Sequence, residues 1–176
     1  MIDSKKNMEK PKPSKLRIST RSAISKFSSI VNLFNVFIIL SKNIINNIVK
    51  SENPDYLIRA ICMSNYNLNT LDNKKKKKKN NITIDNFDNI IDDLKNNTRG
   101  HFYNQCSVSI KPDKNRRPIN IKLFTNGSIS MTGCLYNKDG LDAVNVLLDE
   151  LNKYDDIFVD DEVTINKYKI TMINSD

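Results

Sequence analysis

Residues 119–133, "INIKLFTNGSISMTG", alternate apolar and polar side chains on either side of Asn126-Gly127. Alternation sustained over this length specifies two antiparallel strands, and the Asn-Gly pair predicts a tight turn between them. Ile121, Leu123, Ile129 and Met131 fall on one face, and Lys122, Phe124, Ser128, Ser130 and Thr132 on the other. A one-residue slip would turn every apolar side chain to water, so burial of one face fixes the register. The hairpin therefore needs a cover, and "DGLDAVNVLLDELNKY" supplies one just after it. Asp139 reads as the N-cap, Asp142 sits three residues on, and Leu141, Val144, Leu147, Leu148 and Leu151 form a continuous apolar stripe. One residue breaks the pattern. Phe124 puts a large ring on the polar face, immediately before the turn.

The rest of the chain is read against this unit. "FYNQCSVSIKP" alternates, with Cys106, Val108 and Ile110 on one side and Gln105, Ser107 and Ser109 on the other. "LRISTRSAISKF", residues 16–27, reads as a strand, and a helix is expected from Val31 into the forties. Residues 56–63 fit a helix or a strand, residues 71–81 read as loop, and Ile84 to Leu94 as a short amphipathic helix. Val163 to Asn174 is strand-like again. The predicted order is strand, helix, insert (about 51–99, with a lysine-run loop at 72–81), three antiparallel strands, helix, strand. One-sided strands with helices on one face make the fold class α+β.

Length bounds this to one domain: 176 residues hold one real core, with residues 1–14 expected as a disordered basic arm. The net charge of +8 is patchy, since Lys74 to Lys79 contribute six positives and the remainder sums to +2. Further basic clusters lie between Lys5 and Arg21 and at Lys111, Lys114, Arg116 and Arg117. Such clusters neutralise phosphates or simply face water. The acidic stretch Asp155 to Glu162 reads as a solvated linker rather than a metal site. Three distant cysteines without a CxxC pair, and no visible signal peptide, point to reduced thiols in an intracellular compartment. The apolar stretch Ile30 to Val49 is interrupted by Asn and Lys, which excludes a membrane span.

Enzyme chemistry finds little support. His101 is the sole histidine, no Cys or acid stands at nucleophile or metal-site spacing to it, and no phosphate-cradling glycine motif is present. No catalytic residue, metal or cofactor is expected. Gly127 and Gly133 read as turn glycines. The open sheet face is more informative: Gln105, Ser107, Asn120, Lys122, Phe124, Ser128, Ser130 and Thr132 lie together, with basic residues 111–117 at the rim. Small polar side chains admit a groove closely and an apolar ring can wedge into a base step. The alternative reading is an ordinary solvated face.

"IKLFTNGSISMTGC" followed by the 139–154 helix resembles the central signature of a TATA-box-binding protein repeat, most of all the divergent members encoded by large nucleocytoplasmic DNA viruses. "FYNQCSVSIKP" is similar to the strand that begins with the family's other wedge phenylalanine, and residues 16–50 to its opening strand and helix. The resemblance implies a curved antiparallel sheet that binds the minor groove of A/T-rich promoter DNA. It makes Phe124 the second wedge and places Ser130 and Thr132 toward the groove before the signature Gly133. The first wedge is Phe102 when counted back from Pro112, and Tyr103 by strand alternation. Lys111, Lys114, Arg116 and Arg117 become phosphate contacts. Double-stranded A/T-rich DNA, viral RNA polymerase or other initiation factors, and a second copy of the chain are the implied partners. The implied location is the host nucleus, a cytoplasmic viral factory or the virion. Lys122 stands where the family is usually apolar, and the Asn of the opening strand has no clear counterpart. "YKITMINSD" resembles the first strand of a second, truncated repeat. A one-repeat module that binds a transcription protein without touching DNA is the competing expectation.

Overall fold

The computed structural model describes residues 18–63, 66–69, 86–96 and 104–175. The basic arm, the lysine run, His101, Phe102 and Tyr103 lie outside the described residues. The fold is α+β, built on one antiparallel sheet of seven strands. In chain order these are β1 (Ile18–Phe27), β2 (Ile58–Met63), β3 (Tyr66–Asn69), β4 (Gln105–Ile110), β5 (Ile119–Phe124), β6 (Ser128–Cys134) and β7 (Ile165–Ser175). Their order across the sheet is β3-β2-β4-β5-β6-β1-β7. The helices are α1 (Leu33–Ile44), which runs on into a π-helical segment Ile45–Val49, then α2 (Phe87–Asn96) and α3 (Asp139–Leu151).

The alternation read from the sequence becomes two sets of cross-strand rows. On the inner face, Ile61, Val108, Ile121, Met131 and Ala23 stand side by side on β2, β4, β5, β6 and β1. Met63, Cys106, Leu123 and Ile129 form the next row. All nine are buried. They are covered by Leu33, Val36, Phe37, Leu40 and Ile44 of α1 and by Ala143, Val144, Leu147, Leu148 and Leu151 of α3. No helix among the described residues is long and apolar enough to cross a membrane.

Several elements differ from the sequence reading. Residues 58–63, placed within the expected 51–99 insert, form β2, which pairs with β4 inside the sheet, and β3 extends it as a short edge. Helix α1 begins two residues late, because Val31 is drawn into a bridge with Phe158 and Asn32 takes the cap, its side chain accepting from the Asn35 N–H at 3.2 Å. Helix α2 spans Phe87–Asn96, and Ile84, where the sequence reading began it, lies outside the described residues. Gly133 is not in a turn. It lies in β6 at φ +94° where the register with β1 shifts, a bulge that only glycine fills without strain. The hairpin turn holds three residues, Thr125 to Gly127, closed by the Gly127 N–H donating to the Phe124 carbonyl at 2.9 Å. The linker after α3 is pinned: Ile157 is buried and Phe158 packs edge-on against Phe27 with ring centroids 5.5 Å apart. The tail strand β7 adds to the outer edge of β1.

Candidate functional site

The face opposite the helices is open. One row across it runs Cys62, Ser107, Lys122, Ser130, Ile24 and Lys169, and the next runs Ala60, Ser109, Asn120, Thr132, Ser22 and Met172. With neighbouring strands about 4.8 Å apart, each row spans roughly 24 Å. Gln105 pairs with Phe124 at the next level, and its amide donates to the Ser107 hydroxyl at 3.4 Å. Phe124 is half-buried and shares a recess with Asn104, Thr125, Asn126 and Ser128. Its phase is opposite to the buried Leu123, so the ring lies on the open side.

Gln105, Ser107, Asn120, Lys122, Phe124, Ser128, Ser130 and Thr132 are thus brought onto one surface. Sequence reading missed the third of those rows supplied by β1 and β7, and Cys62 and Ala60 of β2. Ser22, Ile24 and Lys26 are out of phase with buried Ala23, Ser25 and Phe27, a signal present in "RSAISKF". Lys169 and Met172 had no such signal, because only the β1–β7 register places them there. Charge is sorted as strictly as polarity. The seven strands contain Arg21, Lys26, Arg59, Lys122, Lys167 and Lys169 and not one acidic residue.

The rim residues behave differently from one another. Arg117 and Lys114 are exposed, and the Lys111 ammonium donates to the Lys114 carbonyl at 3.3 Å. Arg116 is committed elsewhere: its Nε meets Asp113 at 2.8 Å and its Nη1 meets Asp139 at 2.8 Å and Asp142 at 3.0 Å. Asp139, in turn, is not the expected N-cap of α3. Its buried carboxylate reaches back to accept the backbone N–H groups of Leu135 and Tyr136, each at 2.8 Å. Arg116 and Asp139 together clamp the β4–β5 loop to the β6–α3 connection. That removes Arg116 from the set of free phosphate contacts. The cysteines offer no thiolate, since burial pushes the Cys62, Cys106 and Cys134 thiols above their ordinary values.

Comparison with known proteins gives one informative match. A TATA-box-binding protein-like protein of Acanthamoeba polyphaga mimivirus is 40% identical in an 89-residue alignment that takes in 43% of this chain and 24% of the relative. The chain spans about a quarter of the length of that relative. No family model matches the chain, and no solved structure matches it. Part of the chain is therefore similar to a TATA-box-binding protein-like protein, and an antiparallel sheet with helices on one face accords with that similarity.

Proposed function

We propose that the open sheet face binds A/T-rich double-stranded DNA through its minor groove, as part of transcription initiation. The observation that carries this is the sorting of that face: two rows half made of Ser, Thr and Asn, with Lys122 and Lys169 among them, no acid among the described strand residues, and an aromatic ring at the hairpin end. Hydroxyls, amides and Lys122 donate to the acceptors that line an A·T minor groove, and small side chains allow close approach. Lys122 replaces the apolar contact that the family resemblance implies with a charged donor. Exposed Ile24 and Met172 add apolar surface beside it. Polymerase or other initiation factors are the protein partners of this reading, and no chemical step on a substrate is part of it.

A fluorescence titration of an A/T-rich duplex at several salt concentrations tests it. Binding weakens steeply as salt rises, because phosphate contacts release counterions. Arg117→Ala lowers the slope of log affinity against log salt by about 0.9, one phosphate contact. Arg116→Ala leaves that slope unchanged and lowers thermal stability instead, since its guanidinium serves the clamp. Absence of measurable binding at low salt would replace this reading with the protein-interaction module.

A further inference from the structure

The stretch from α3 to the start of β7 carries the opposite charge to the open face. Residues 139–162 hold nine acidic residues and one lysine, in a chain whose net charge is +8. Arg116 answers Asp139 and Asp142. The rest cluster around the second half of α3 and the connection that follows. Here a groove of about 270 Å³ opens between α3 and the segment leading into β2. Its apolar lining is Tyr56, Leu57, Ile58 and Val146, and exposed Asp55 and Asp149 flank it.

Buried Glu150 also lines the groove, held in one orientation by its partners. Its Oε1 accepts from Asn43 at 2.7 Å and from the Tyr56 hydroxyl at 2.8 Å, and its Oε2 accepts from Lys153 at 2.6 Å. Burial first, and then the Glu150 charge, push the Tyr56 hydroxyl well above its ordinary value, so it stays a donor. Asp55, Asp149 and Glu150 thus line the groove beside a single ammonium, that of Lys153, whose side chain is 61% exposed. We infer that this groove docks an arginine side chain of a basic protein segment, its stem on the apolar lining and its guanidinium replacing Lys153 between Glu150, Asp149 and Asp55. Planar guanidinium groups suit carboxylate-lined clefts better than an ammonium does. The open face stays free for its own ligand.

The probe is the peptide acetyl-Gly-Arg-Leu-Arg-Gly-amide, titrated into the full isotope-labelled chain and followed by the backbone amide signals. Saturable shifts are expected at Tyr56, Leu57, Val146 and Asp149. A peptide with citrulline for arginine leaves them unmoved. Asp55→Asn combined with Asp149→Asn, two exposed positions, weakens binding roughly fivefold, in line with two solvent-screened charge pairs. Lys153→Ala tightens it by removing the competitor. Equal shifts with the citrulline peptide, shifts scattered over the surface, or a Lys153→Ala variant that binds more weakly would overturn the inference. Concentration-dependent shifts at these amides without peptide would make a second copy of the chain the occupant and overturn it as well.

Discussion

Phe124→Ala leaves the fold nearly intact, within about 1 kcal/mol, while Leu123→Ala one position earlier costs about 2–5 kcal/mol. The two side chains are neighbours in sequence and opposite in phase. Leu123 is buried between Cys106 and Ile129, so truncation leaves a cavity that the surrounding rows cannot fill. The Phe124 ring is half-buried on the open side, beside Asn126 and Ser128. If it wedges into a base step, its loss removes most of the DNA bending and spares part of the electrostatic affinity. Chemical denaturation and end-to-end energy transfer on a labelled duplex read the two halves separately. A Phe124→Ala chain that unfolds while Leu123→Ala stands would invert the face assignment.

Gly127→Val destabilises by roughly 3–5 kcal/mol, the sum of a left-handed backbone and a steric clash. Gly127 sits at φ +78°, and a Cβ there would meet the Ser29 carbonyl oxygen at 2.5 Å and that of Phe27 at 2.9 Å. Neither is a flexible side-chain tip. Both belong to the segment that the turn holds: the Phe27 N–H donates to the Gly127 carbonyl at 2.9 Å and the Val31 N–H to the Thr125 carbonyl at 2.8 Å. Gly133→Ala is the matched comparison. Its φ of +94° is also left-handed, but the added Cβ meets only the Pro118 carbonyl, at 3.7 Å, so about 1–2 kcal/mol is expected. Urea midpoints measure both. Equal losses would mean that close approach between turn and β1 contributes nothing.

The legible parts of the fold were those where one-sided burial imposes a period. β5, β6 and α3 show it, and their inner faces are the buried ones. β2 was ambiguous because "LIRAICM" is almost continuously apolar and carries a bulge beside Arg59, which erases the alternation. The partner of β7 was unreadable for a different reason. Alternation assigns faces within a strand, but no local pattern says which edge a strand joins. The same limit hid the role of Arg116. Asp139 and Asp142 have the spacing of a helix start, and only the tertiary approach of a loop 23 residues away shows that they grip an arginine. At the candidate site, parity sufficed for the residues of β4, β5 and β6, whereas Lys169 and Met172 depended on the sheet order.

The central claim is that the open face, not the helical one, meets DNA. Affinity of an A/T-rich duplex for two charge variants tests it most directly. Ser130 lies mid-row on the open face between Lys122 and Ile24, and Asn145 is exposed on α3. A new carboxylate at Ser130→Glu stands against the groove and its phosphates, and lowers affinity at least about tenfold. The same charge at Asn145→Glu changes it less than about twofold, because screening mutes an exposed charge on the far side of the domain. Equal losses in the two variants, or a larger loss at Asn145, would contradict the account.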